Sequence, residues 1–165
     1  MELITHTPWW VWIIFAYLIY IGIKASRSGY VPLFKTSLIP VLFTAWSIFS
    51  VTEYFGFNRV RIIQWLVAVA LGSVLGWIIG DRIPIKVDKK KKAIFLPGSW
   101  FTLIMVLIIF VVKYYFGYSF AVFPERLNDP LYANVYVLFS GFFTGIFVGR
   151  FLCFCYKYSN SVPKK

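Results

Sequence analysis

Charged positions are so sparse along this chain that five uncharged stretches take up most of its length. Between Glu2 and Lys24 lie 21 uncharged residues, with His6 taken as neutral. The matching counts are 17 between Lys35 and Glu53, 19 between Arg61 and Asp81, 20 between Lys92 and Lys113, and 20 between Asp129 and Arg150. A helix rises ~1.5 Å per residue and the hydrocarbon layer of a bilayer is ~30 Å thick, so about 20 apolar residues cross it. The pattern predicts transmembrane helices over residues 7–23, 37–54, 62–80, 96–116 and 131–150. Runs such as Phe101 to Val112, FTLIMVLIIFVV, do not alternate as barrel strands do. The expected fold is all-α, one integral membrane domain over residues 1–165 with five spans, because the short loops leave no room for a separate module.

Composition agrees with that pattern. The chain is 60% hydrophobic, 22% aromatic and 14% charged, with mean hydropathy +0.75, more apolar surface than a soluble core of this size could hide. A net charge of +11 would suggest nucleic acid for a soluble protein, but here the position of each charge indicates topology and no nucleic-acid partner is expected. Thirteen basic residues fall on one side: Lys24, Arg27 and Lys35; Arg82, Lys86, Lys89, Lys90, Lys91 and Lys92; Arg150, Lys157, Lys164 and Lys165. Four fall on the other: Arg59, Arg61, Lys113 and Arg126. The positive-inside rule then puts the amino terminus outside and the carboxyl terminus in the cytoplasm. The acidic opening MELITH argues against a cleaved signal peptide. Trp9, Trp10 and Trp12 are expected to anchor the first span in the headgroup zone. The run Lys89 to Lys92 fixes topology, and each cation beside an anionic lipid surface would add ~1 kcal/mol of attraction.

Spans two and three read as a repeat of spans four and five. VTEYFGF, Val51 to Phe57, matches VKYYFGY, Val112 to Tyr118, and Pro40 and Pro97 lie upstream. The returning helices carry Gly72, Gly76 and Gly80, and Gly141, Gly145 and Gly149. Residues four apart share a helix face, and glycine there lets a second backbone approach closely enough for dispersion contacts. The partner helix lies either in the same chain or in a second copy. Parallel hairpin repeats also build some transporters, whereas a single bundle packed on its glycine faces needs no transport role.

Few residues suggest chemistry. Glu53, three residues before Gly56, and Lys113, four before Gly117, occupy neighbouring places in the half-repeats, where they either pair or snorkel separately to the interface. Arg150 ends the last glycine ladder, where it would meet the open carbonyls of a helix C-terminus or, as a fork suited to oxygen anions, a lipid phosphate. Cys153 and Cys155 point to nearly opposite sides of a helix and cannot chelate one ion together. His6 is the sole histidine, so no metal site, cofactor or catalytic residue is expected. Pro97, Gly98, Ser99 and Trp100 read as the start of span four, or as a break within it that exposes backbone to a cavity.

HTPWWVW (His6 to Trp12), LPGSW (Leu96 to Trp100), KYYFGY (Lys113 to Tyr118) and the GxxxGxxxGR ending of span five resemble a family of small bacterial integral membrane proteins known only as a domain of unknown function. The resemblance implies an inner-membrane protein with no assigned activity. More loosely, the chain resembles small membrane proteins that assist cytochrome c biogenesis, although it lacks a periplasmic cysteine pair for thiol transfer. Ladders and scarce polar groups together suggest a non-enzymatic protein acting through helix packing, as a homodimer or accessory subunit of a membrane complex. The alternative is a small-solute or lipid carrier with its pathway between the hairpins, which a filled interior would oppose.

Overall fold

The computed structural model describes residues 16, 19, 20, 22, 23, 28–89, 93–98 and 100–161. Among the described residues four helices are long and apolar enough to cross a membrane: α1 (Leu33–Phe55), α2 (Arg59–Asp81), α3 (Trp100–Val122) and α4 (Pro130–Asn160). The expected first span, 7–23, lies outside the described residues except for five helical positions, of which Gly22 is buried against Leu103 of α3. Three short strands join the helices at one end: β1 (Gly29–Pro32), β2 (Lys86–Asp88) and β3 (Ala93–Leu96). The structure is predominantly helical as expected, and the strands add a small antiparallel sheet of order β1-β3-β2, in which Val31 and Val87 both pair with Ile94. Strands of three and four residues carry too little periodicity to stand out in a sequence, and β1 meets its partner only across two intervening helices.

Local chemistry sets the helix ends. Gly56 stops α1 at φ +67, a left-handed conformation that side chains rarely adopt, while its N–H reaches the Thr52 carbonyl at 2.9 Å. Two residues on, the Asn58 side chain accepts from the Val60 N–H at 2.9 Å and opens α2. Asp129 opens α4 in the same way, accepting from Leu131 N–H at 2.8 Å with Pro130 in the first turn. Gly117, the expected counterpart of Gly56, lies inside α3, so the first hairpin turns tightly where the second runs on to a 3-10 turn at Pro124–Leu127. Pro97 and Gly98 precede α3, which begins at Trp100 rather than residue 96. Helix α4 continues ten residues past the expected boundary at 150, since FLCFCYKYSN contains no helix breaker. Its 31 residues span about 47 Å, well beyond the ~30 Å hydrocarbon layer.

Helices α2 and α4 run parallel and touch through their backbones. Gly72 lies beside Gly145, Ala68 beside Gly141, and Gly80 beside Cys153. These pairs are each 73 residues apart, four more than the 69 separating Gly72 from Gly141 in the repeat. The two ladders have thus slipped by one rung, about 6 Å, and a pure two-fold axis does not relate the hairpins. The slip adds a small residue to each row: Ala68 leads the glycines of α2, and Cys153, 1% exposed, follows those of α4. A methyl on Gly76 would meet the Ile146 carbonyl carbon at 2.8 Å, and one on Gly149 would meet the Ser73 carbonyl carbon at 2.7 Å.

The other two helices stand off on large side chains. Phe43 of α1, Val106 and Ile109 of α3, and Phe147 of α4 form one cluster. Val51, Phe116, Phe120, Tyr136 and Val137 form a second toward the end opposite the sheet. The two kinds of seam differ in tolerance. Gly72→Ala, Gly76→Ala, Gly145→Ala and Gly149→Ala are each expected to destabilise the bundle by about 1–3 kcal/mol or more, because backbone must move. Gly117→Ala, whose methyl would find only the Tyr54 hydroxyl at 3.7 Å, is expected to leave stability nearly unchanged. Thermal unfolding of the five variants in one detergent checks the contrast.

Candidate functional site: two cations inside the bundle

Lys113 projects inward from α3 and meets three neutral oxygens. Its ammonium donates to Ser140 Oγ at 3.1 Å, Tyr136 Oη at 3.3 Å and Ser50 Oγ at 3.4 Å. The rings of Tyr136 and Trp46 lie 5.1 and 5.7 Å away, within cation–π reach. Ser140 in turn shares a hydrogen bond with Ser47 at 2.8 Å, and Trp65 Nε1 donates to Ser47 Oγ at 2.8 Å. The network therefore takes residues from α1, α2, α3 and α4. Three N–H groups find three acceptors, which accounts for a cation at this depth without a carboxylate.

The expected pairing of Lys113 with Glu53 is not formed, and neither is the snorkelling alternative for Lys113. Glu53 is exposed. It sits roughly 120° around α1 from Ser47 and about 60° beyond Ser50, at the outer edge of the face that turns Ser47 and Ser50 inward. The hydroxyl partners were not recognised from sequence because single serines in apolar helices are common. Their spacing was the available signal: Ser47, Ser50, Val51 and Tyr54 share a face, as do Tyr136, Ser140 and Thr144.

Arg150 is the second cation. It lies in α4 nearly three turns before the helix ends and is 9% exposed, so it does not cap that helix as expected. Its Nη1 donates to Thr102 Oγ1 of α3 at 3.4 Å, and the rings of Phe101 and Phe154 lie 5.0 and 5.8 Å from the guanidinium carbon. Its Nε is buried without a partner. The capping task falls to Lys157, whose ammonium meets the carbonyls of Asp81 at 2.6 Å, Ile83 at 3.2 Å and Gly80 at 3.3 Å, and pairs with Asp81 Oδ1 at 3.3 Å. A cation at a helix C-terminus complements its dipole. Here the lysine belongs to α4 and the carbonyls to α2, so the contact also fixes the lower end of the glycine seam.

The remaining predicted positions are distributed as follows. The six ladder glycines come together in the α2–α4 seam. Lys89 lies in the turn after β2, and Lys90, Lys91 and Lys92 lie outside the described residues. Cys153 and Cys155 are free thiols, one buried and one half-buried. An open cleft of about 580 Å³ on the sheet side is lined by Asp81, Arg82, Val87, Tyr156, Lys157 and Asn160, among others. A smaller apolar groove of about 340 Å³ runs along the lipid side of the glycine seam, between Val74 and Trp77 of α2 and Leu152 of α4.

Comparison with known proteins gives a family whose function is unknown. The profile described as "Family of unknown function (DUF6622)" matches residues 1–159. An uncharacterised protein of Pasteurella multocida (strain Pm70) is 32% identical over 53 residues, which is 32% of this chain and 41% of that protein. The chain thus spans less than half the length of this relative. No solved structure matches.

Removal of one acceptor is expected to cost more than removal of the lysine's charge. Ser140→Ala leaves a buried ammonium short of a partner, at a cost of about 1–3 kcal/mol, whereas Lys113→Met replaces the charge with a chain of similar length. In a Lys113→Met background the cost of Ser140→Ala should shrink. A double-mutant cycle read by thermal or denaturant unfolding measures that coupling, and additive effects would contradict the network.

Proposed function

Because the chain belongs to the DUF6622 family of unknown function, which assigns it no activity, we propose that it is a non-enzymatic multi-pass protein of the bacterial inner membrane that acts through helix packing, as an accessory subunit or homo-oligomer. The observation that carries this reading is the filled interior. Both glycine ladders and all three ammonium protons of Lys113 are satisfied within one chain. Association with another protein would therefore use the outer faces, where Leu66, Val67, Leu71 and Val74 of α2 and Val135 and Leu138 of α4 are exposed. In this reading the sheet end is cytoplasmic and the amino terminus outside, since Lys35, Arg82, Lys86, Lys89 and Lys157 gather at that end. The same charges would attract anionic lipid.

A carrier of small anionic solutes or lipids is the second reading, and one observation favours it. Lys113 holds a positive charge between the two hairpins with only neutral partners. The seams around it close through side chains, not backbone, and can part without breaking the glycine contact. In that case anions added to the purified protein should change the fluorescence of Trp46 and Trp65, which flank the ammonium network.

Particle size tests the packing reading. Gently solubilised native membranes should show the protein in a particle larger than one 19.2 kDa chain with its detergent. Finding it only as a monomer there would contradict an accessory or oligomeric role. For sidedness, Lys89→Cys in a background of Cys153→Ser and Cys155→Ser should react with an impermeant thiol reagent only after the cells are opened; reaction in intact cells would reverse the orientation.

A further inference from the structure

We propose that the sheet end of the bundle holds a phosphate group between Arg150 and the first turn of α3, supplied by a phospholipid headgroup or by the free anion. The charge on Arg150 is uncompensated. Arg150 is more than nine-tenths buried. Of its five N–H groups, one reaches Thr102 at 3.4 Å, while Nε is enclosed without any acceptor. No carboxylate pairs with it among the described residues. A buried cation left in that state is strongly unfavourable, and an anion beside it removes most of the penalty.

The surroundings select the chemistry of that anion. The Nε edge of a guanidinium is one of its bidentate forks, a geometry that phosphate oxygens match. Arg150 reaches into the first turn of α3, a helix of 23 residues, where N–H groups lack intrahelical acceptors and the helix dipole is positive. The Thr102 hydroxyl accepts from Arg150 and keeps its own proton to donate. Phe101 and Phe154 flank the guanidinium with apolar rings, as a headgroup joined to acyl chains would require. The neighbouring Trp100 is 64% exposed, and exposed indoles favour the headgroup layer, where lipid phosphates also lie. The lipid arm of this inference rests on the reading that the sheet end meets a membrane surface.

Native mass spectrometry of the full chain, stripped of lipid in a neutral detergent, tests the proposal. Phosphatidylglycerol is titrated against wild type, Arg150→Lys, Arg150→Met and Thr102→Val, with dioleoylglycerol as the phosphate-free probe and inorganic phosphate as competitor. One phosphatidylglycerol per wild-type chain is expected, with no matching dioleoylglycerol adduct. Arg150→Met should weaken binding by at least about tenfold, the change that loss of one charge-assisted hydrogen bond brings. Arg150→Lys and Thr102→Val should weaken it less, and they carry the test if circular dichroism shows Arg150→Met unfolded. Millimolar inorganic phosphate that displaces the lipid would assign the site to the free anion, and failure to displace it would assign the site to the headgroup. Equal phosphatidylglycerol binding by wild type, Arg150→Lys and Thr102→Val, matched by dioleoylglycerol, would overturn the proposal. Labelling of Lys89→Cys in intact cells would move the site to the outer leaflet and leave the phosphate contact standing.

Discussion

Backbone contact between α2 and α4 is the constraint on which the other packing depends. In lipid no hydrophobic effect drives helices together, so association rests on close van der Waals approach and on hydrogen bonds across the seam. Glycine at 72, 76, 145 and 149 removes the side chains that would hold the axes apart. The one-rung slip then sets which groups meet elsewhere. It seats Gly80 against Cys153 and brings Lys157 to the end of α2, where its ammonium gathers the carbonyls of Gly80, Asp81 and Ile83.

With α2 and α4 fused in this way, α1 and α3 complete the bundle by a different kind of contact. Aromatic and branched side chains fill the wider gaps, and the polar groups lie there rather than in the glycine seam. Lys113 is tolerated because serine and tyrosine from two other helices match its three protons. Arg150 lacks such a set, and the contrast between the two cations distinguishes a group satisfied by the fold from one that awaits a ligand. A polar network of the first kind ties helices together and favours one arrangement over others, since any slip of α3 would leave the ammonium unmatched.

The sequence made the spans visible because crossing a bilayer imposes a length on uncharged runs, and four of those runs lie largely in helices; α1 and α2 end within two residues of their charged borders, while α3 runs nine residues past Lys113 and α4 ten past Arg150. The glycine ladders were equally legible, since a period of four has a direct geometric meaning. Whether they meet within one chain is a tertiary fact that periodicity does not contain, and Ala68 and Cys153 join them only through the slip. Symmetry between half-repeats suggested that Glu53 faces Lys113, but α1 and α3 present different faces inward and the residues part. Arg150 read as a helix cap because a charge after an apolar run marks a boundary; the helix continues because Phe, Leu and Cys follow it. The sheet stayed hidden because its strands are short and its partners distant in the chain.

The glycine seam joins two helices of the same chain. Val74 and Leu152 face the lipid on either side of that seam and line one groove. A chain carrying Val74→Cys and Leu152→Cys, with Cys153→Ser and Cys155→Ser, can be treated with a short bifunctional thiol reagent and its mass measured. A bridge within a single chain is expected, formed equally well when the protein is diluted with an unlabelled excess. A bridge that appears only as a dimer, or between singly substituted chains mixed together, would place the ladders at an interface between two copies and contradict it.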